Sequence, residues 1–145
     1  MANLDPETVA DVIDWNTFGQ ILEMDDDEDD REFSRSIVWN FFEQAENTFT
    51  QMDTALTNGD LDQLSSLGHF LKGSSAALGL TKVKNSCEKI QHLGAKKDET
   101  GTTELNDPEF CLKEIHTILE SVRQEYAESE SFLRKYYDSE ESGSN

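Results

Sequence analysis

Hydrophobic positions along this chain recur at the three- and four-residue spacing of amphipathic helices, and runs of β-branched residues are scarce. Leu61, Leu64, Leu67, Leu71 and Leu78 form one stripe, with Ser74 and Ser75 filling the turn before Leu78. Val38, Phe42, Ala45, Phe49, Met52 and Leu56 alternate steps of four and three, predicting a helix from about Glu32 to Leu56. Val83, Cys87, Ile90 and Gly94 share a face of another, from about Thr81 to Lys97, with Gln91 at the edge of that stripe. Leu93 is not assigned to the stripe, and His92 points to solvent. Cys111, Ile115, Ile118, Val122, Tyr126, Ser129, Leu133 and Tyr136 carry the rhythm to about Tyr137, with His116 beside them in a structural place.

Punctuating residues fit these limits. Asp5-Pro6-Glu7 reads as N-cap, first-turn proline and early acid for a short helix to about Ile13. Asp14 caps a second, from Trp15 to about Met24, with Trp15, Phe18 and Leu22 on one face and Ile21 and Met24 turned elsewhere. Asn58-Gly59 closes the long helix, Asp60 opens the next and Gly79 ends it. Lys96 to Asp107 is a polar loop, and Asp107-Pro108 starts the last helix. The fold class is therefore all-α: an antiparallel up-down four-helix bundle with short additional N-terminal helices. One domain is expected over residues 1–137, with a disordered acidic tail from Asp138 to Asn145. No internal repeat is visible.

Charge narrows the choice of partners. Thirty-one acidic residues against twelve basic give a net charge of −19 over 145 residues. Nucleic acids and anionic membranes are bound largely through Lys and Arg, so neither is an expected partner. No apolar run approaches the ~20 residues that span a bilayer, and Met1-Ala2-Asn3-Leu4-Asp5 lacks signal-peptide features. The expected location is the cytoplasm, with the nucleus as a further compartment. Cys87 and Cys111 fall on apolar positions and are expected as buried free thiols, with no zinc spacing around them. The run Asp25-Asp26-Asp27-Glu28-Asp29-Asp30 is not an EF-hand, because Asp30 and Ser36 stand where glycine and glutamate are needed. It is read as a solvated acidic loop feeding a helix N-terminus. No nucleotide loop or metal box is present, nor a serine or cysteine nucleophile with a base.

Candidate chemistry lies on the helix that carries the leucine stripe. At roughly 100° per residue, His69 falls on the side of its helix opposite the leucines. Lys72 and Gly73, one turn on, share its side. A mid-helix glycine costs about 0.8–1 kcal/mol against alanine, a loss that fits a site where something approaches closely. A tetrahedral anion on the imidazole would need that space, and Lys72 would offset its charge. The same residues also fit a surface histidine with an incidental lysine and a packing glycine. Phe33 and Ile37 lie about 100° off their helix stripe. With Ile21, Met24 and Phe70 they are apolar residues the cores do not claim: either a docking patch beside His69 or staples for the first helices.

The run His69-Phe70-Leu71-Lys72-Gly73-Ser74-Ser75-Ala76-Ala77-Leu78-Gly79 resembles the H-x-x-K-G signature of histidine-containing phosphotransfer domains, most of all the fungal osmosensing phosphorelay intermediates. The likeness extends to Asp14-Trp15 through Met24-Asp25-Asp26-Asp27, Phe41 to Phe49, Cys87-Glu88-Lys89-Ile90-Gln91 with Leu93-Gly94, and Lys135-Tyr136-Tyr137. It implies a monomeric phosphoryl carrier without autonomous kinase or phosphatase activity. His69 would accept phosphate from the receiver domain of a hybrid sensor histidine kinase and pass it to response-regulator receivers. The resemblance further implies that the receiver brings Mg²⁺, that the chain needs no cofactor of its own, and that Gln91 bonds and orients the imidazole. Ser74 or Ser75 would assist near the phosphoryl group, and the apolar patch would receive the receiver. Histidine suits the task because its reference pKa of ~6.5 leaves an imidazole largely neutral and nucleophilic near pH 7. The alternative is a helical adaptor that binds receivers and never carries phosphate.

Overall fold

The structure, a computed structural model, describes residues 13–25 and 31–143, with side chains described as far as 138. Five helices follow one another among them: α1 (Trp15–Leu22), α2 (Glu32–Asn58), α3 (Leu61–Leu78), α4 (Thr81–Gly94) and α5 (Pro108–Gly143). The short helix expected from Pro6 to Ile13 lies outside the described residues, as do Asp26 to Asp30 of the acidic run.

Turn chemistry sets the topology. Gly59 and Gly79 adopt φ of 69° and 78°, values that glycine tolerates without Cβ strain. After each, the chain doubles back: Asp60 N donates to Ala55 O, and Leu80 N to Ser75 O, at 2.8 and 2.9 Å. Asp60 accepts from Gln63 N at 3.1 Å and so caps α3. These tight links make α2, α3 and α4 successive antiparallel neighbours. Helix α5 returns along α2. Tyr137 Oη donates to Ser34 Oγ, Tyr126 Oη to Phe42 O, and Arg123 to Phe49 O and the Asp53 carboxylate, so rising numbers on one helix meet falling numbers on the other.

The expected stripes are the core. Leu61, Leu64, Leu67, Leu71 and Leu78 are all buried, as are Val38, Phe42, Ala45, Phe49 and Met52 of α2 and Cys111, Ile115, Val122, Tyr126, Ser129 and Leu133 of α5. Both cysteines are free and buried. Several expectations change. Leu93 is 1% exposed and belongs to the core, being one turn beyond Ile90 where α4 lies closest to α3. Tyr137, rather than Tyr136, is fully buried. At its end α5 is flanked by two helices, so adjacent aromatics serve different ones: Tyr136 stacks on Trp15 and Phe18 of α1, Tyr137 on Trp39 of α2. Helix α5 continues to Gly143, past the expected end at Tyr137. Extension costs little once a helix is nucleated, since each added residue gains a bond.

Helix α4 ends at Gly94, earlier than Lys97. Lys96 takes the left-handed conformation (φ 61°), and Lys97 N closes on His92 O at 2.9 Å. The following loop is ordered around Asp98, which accepts from Thr100 Oγ1 and Thr102 N at 2.8 and 3.0 Å. His92 is not simply solvated: its Nδ1 meets Glu99 O at 2.8 Å, and its ring lies against Gly101.

Two glycines let α3 and α4 touch backbone to backbone. A Cβ on Gly68 would stand 2.9 Å from Cys87 O and Gln91 N, and one on Gly94 2.6 Å from Ser65 N. Ser65 Oγ seals the contact by donating to Gln91 O at 2.9 Å. At Gly73 a Cβ would meet nothing within 4 Å.

Gly94→Ala should therefore destabilise the fold by about 1–3 kcal/mol, the usual range for overpacking against immobile atoms. Gly73→Ala should stabilise it by roughly 0.5–1 kcal/mol through helix propensity alone; urea denaturation of the two variants beside wild type checks both signs. A second expectation concerns alkali. Burial is the chief cause that pushes Tyr137 up from 10.0 to about 12. The folded state holds that proton more tightly, so the contribution is complete below pH 10.0 and is lost as pH rises through about 12. Urea midpoints followed across that window should fall less steeply for Tyr137→Phe than for wild type.

Candidate functional site

The backbone contact between α3 and α4 determines what surrounds His69. Gly68 faces inward against α4, and the next residue is rotated about 100° away from it. His69 is accordingly exposed, with Lys72 half-buried and Gly73 open to solvent one turn on. No hydrogen bond holds the His69 ring among the described residues. The expected arrangement of histidine, cation and bare backbone on one outward face is thus what the helix presents.

Lys72 has a partner that composition does not reveal: its Nζ lies 3.9 Å from Glu88 Oε2 on α4. Gln91 stands one turn beyond Glu88, its backbone pressed against Gly68. Its Oε1 is buried and has no hydrogen-bond donor. The hydrogen bond expected between Gln91 and the His69 imidazole is not formed in this structure; the acceptor has no partner among the described residues. The two serines part company. Ser75 is 0% exposed and faces the core, because it continues the leucine stripe, so it cannot assist at the surface. Ser74 is half-buried and donates to Phe70 O of its own helix at 3.2 Å.

The apolar residues read as a docking patch divide likewise. Ile21 is only 7% exposed and packs with Phe18 in the core, which corrects its assignment to the surface. Asp14 N donates to Gly79 O at 2.7 Å, and this tie to the end of α3 fixes the roll of α1, turning Phe18 and Ile21 inward. Trp15, read on one face with Phe18 and Leu22, is 36% exposed. Met24, Phe33 and Phe70 are 59%, 52% and 48% exposed, and Ile37 is half-buried against the core.

Asp25 brings Met24 to α2. Its carboxylate, fully buried, accepts from both the backbone N and Oγ of Ser34 at 2.7 Å and faces Arg31 at 3.5 Å. Asp25 is therefore not part of a solvated loop; it caps α2 from nine residues upstream. Tyr137 Oη completes the network by donating to Ser34 Oγ at 2.9 Å. Met24 is thereby held near the first turns of α2, which carry Phe33 and Ile37. Phe70 stands apart from them in chain, next to His69 on α3. Of the residues at the site, Glu88 and Gly68 carry no role in the sequence pattern, and Gly94 appears there only as a member of the α4 stripe. Glu88 was discernible in principle, being one helical turn from Gln91.

Comparisons with known proteins identify the family and the fold. Residues 36–125 match the Hpt domain family. Multistep phosphorelay regulator 1 of Schizosaccharomyces pombe is 49% identical over 127 residues, covering 88% of this chain and 43% of that protein. Phosphorelay intermediate protein YPD1 of Candida albicans is 46% identical over 106 residues, covering 73% and 52% respectively. The chain thus spans about half the length of these curated relatives. Among solved structures, the Saccharomyces cerevisiae histidine phosphotransfer signalling protein Ypd1, co-crystallised with the receiver domain of its downstream response regulator Ssk1, superposes with a TM-score of 0.76. Its identity is 35%, over 88% of this chain and 95% of that one.

A buried acceptor without a donor costs about 1–3 kcal/mol. Gln91→Met, which keeps the volume and removes the amide, should therefore hold or raise the urea midpoint; a marked fall would show that Gln91 is needed for the fold itself.

Proposed function

This chain belongs to the Hpt domain family, and on that premise we propose that it is a phosphorelay intermediate carrying a phosphoryl group on His69. It accepts the group from the aspartate of a sensor-kinase receiver domain and passes it to the aspartate of a downstream response regulator. It acts as a monomer, without kinase or phosphatase activity of its own. The observation that carries the reading is the exposed His69 with open space above Gly73 one turn along. The glycine there is imposed by no neighbour, unlike Gly68, Gly79 and Gly94, each of which a packed backbone requires. The solved relative in complex with a receiver domain supports receivers as the partners.

In the proposed step the lone pair of His69 Nε2 attacks the phosphorus of an aspartyl phosphate in line. The N–P bond forms as the P–O bond breaks, and its electron pair returns to the aspartate carboxylate. Nδ1 keeps its proton and the ring takes up positive charge, which the phosphoryl group offsets. Gln91 Oε1, unpartnered at rest, accepts from Nδ1–H and so leaves Nε2 as the nucleophile. Lys72 neutralises part of the charge on the equatorial oxygens, where positioning and electrostatics provide most of the catalysis. Ser74 contributes by exchanging the Phe70 carbonyl for a phosphoryl oxygen. Mg²⁺ comes with the receiver. Met24, Phe33, Ile37 and Phe70 form the apolar contact to that partner, by the logic that exposed apolar side chains mark interaction sites.

The test is transfer from a radiolabelled phosphorylated receiver domain to wild type and to His69→Gln. Acid-labile, alkali-stable label on wild type alone is expected. Label on His69→Gln, or none on wild type from receivers that serve another carrier, would sink the reading and leave a receiver-binding adaptor. Gly73→Gln should slow transfer at least tenfold, about 1.4 kcal/mol in the barrier, with helicity by circular dichroism unchanged.

A further inference from the structure

Glu88 is a charge for which the fold has no evident use. It is partly exposed, and among the described residues it pairs with Lys72 alone, at 3.9 Å with side chains 29% and 39% exposed for Lys72 and Glu88. Pairs at that exposure add little to stability. Yet α4 is set against α3 by the contacts at Gly68 and Gly94, and Glu88 cannot drift away from the histidine face. A carboxylate so placed is unfavourable for a site that is to hold an anion, because it repels the anion and occupies the neighbouring ammonium.

This disadvantage has a use in a carrier. A phosphoryl group brings about −1.5 to −2 charges near pH 7, and it would compete with Glu88 for Lys72. If Lys72 were free, the phosphohistidine would be stabilised by the full interaction, and onward transfer would be opposed by the same amount. With Glu88 present, gaining the phosphoryl contact means giving up another. The bound and unbound states are brought closer in free energy, which suits a group that must be taken up and released.

We infer that Glu88 is a positioning residue that holds Lys72 while His69 is unmodified and yields it to the phosphoryl group on phosphorylation, thereby setting how readily the group moves on. The inference rests on the phosphocarrier reading above. Only an ion pair is exchanged in it: the Lys72–Glu88 contact opens, a Lys72–phosphoryl contact forms, and no proton moves.

The experiment measures the equilibrium distribution of radiolabelled phosphate between a receiver domain and this chain, with Mg²⁺ present. Wild type is compared with Glu88→Gln, Glu88→Asp, Lys72→Ala and the Glu88→Gln/Lys72→Ala double variant. At low ionic strength Glu88→Gln should shift the distribution about two- to fivefold towards the phosphorylated carrier, the range of a partly exposed ion pair. The shift should shrink towards none in about 1 M salt, and Glu88→Asp should restore most of the wild-type value. In the Lys72→Ala background, Glu88→Gln should shift the distribution much less than it does with Lys72 present, leaving only the direct repulsion. An unaltered distribution for Glu88→Gln would overturn the inference, as would an equal shift with and without Lys72, which would mean simple repulsion of the phosphoryl group. Circular dichroism and urea midpoints, expected to match wild type, separate this role from a structural one. Failure of wild type to accept phosphate would remove the carrier reading and this inference with it; acceptance with no Glu88 effect would remove this inference alone.

Discussion

Everything at the candidate site depends on how closely α3 and α4 approach. Glycine on each helix, Gly68 and Gly94, removes the Cβ that would otherwise stand 2.9 or 2.6 Å from the opposing backbone. The Ser65 hydroxyl bonds the Gln91 carbonyl across the gap. Such a contact admits a single register, because sliding α4 by one residue would drive a side chain into the position Gly94 keeps clear. With register fixed, Gln91 lies behind the turn that bears His69, and Glu88 faces Lys72. The imidazole itself is held by no hydrogen bond among the described residues. Its surroundings are set in register by the backbone contact beneath it.

A second constraint works at one end of the bundle. Asp25, Ser34 and Tyr137 form a buried polar chain joining the end of α1, the start of α2 and the last turns of α5. Arg31 faces the same carboxylate at 3.5 Å. A buried network of this kind favours one arrangement, since breaking its bonds would leave further desolvated groups unpaired. Together with the Asp14–Gly79 bond it fastens α1 at both ends, which explains how an eight-residue helix keeps a definite roll. Through this network the chain neighbours of the exposed Met24 and Phe33, Asp25 and Ser34, are bonded to each other.

The four glycines Gly68, Gly73, Gly79 and Gly94 look alike in sequence and differ in cause. Gly79 combines a left-handed φ with contact to Asp14, whereas Gly68 and Gly94 admit a facing helix. Gly73 meets nothing. Gly19 in α1 also meets nothing, so it is the exposed histidine one turn away that gives the open space at Gly73 a use.

The sequence by itself determined what local chemistry and periodicity decide. Leucine spacing placed the buried face of α3 and hence the outward direction of His69, Lys72 and Gly73; Asp14, Gly59, Asp60, Gly79 and Asp107 marked helix ends where caps and left-handed turns form. These follow from 3.6 residues per turn and from hydrogen bonds only a few residues long. The tertiary structure alone decided which side of α1 is buried, that Tyr137 and Leu93 join the core, that Asp25 caps a helix it does not belong to, and that Glu88 meets Lys72. Ile21 was misplaced because a short helix with apolar residues on several faces has no preferred roll until a partner supplies one. The Lys72–Glu88 and Asp25–Ser34 pairs were invisible because they join residues on separate elements, and helical phase says which way a residue points but not what stands opposite.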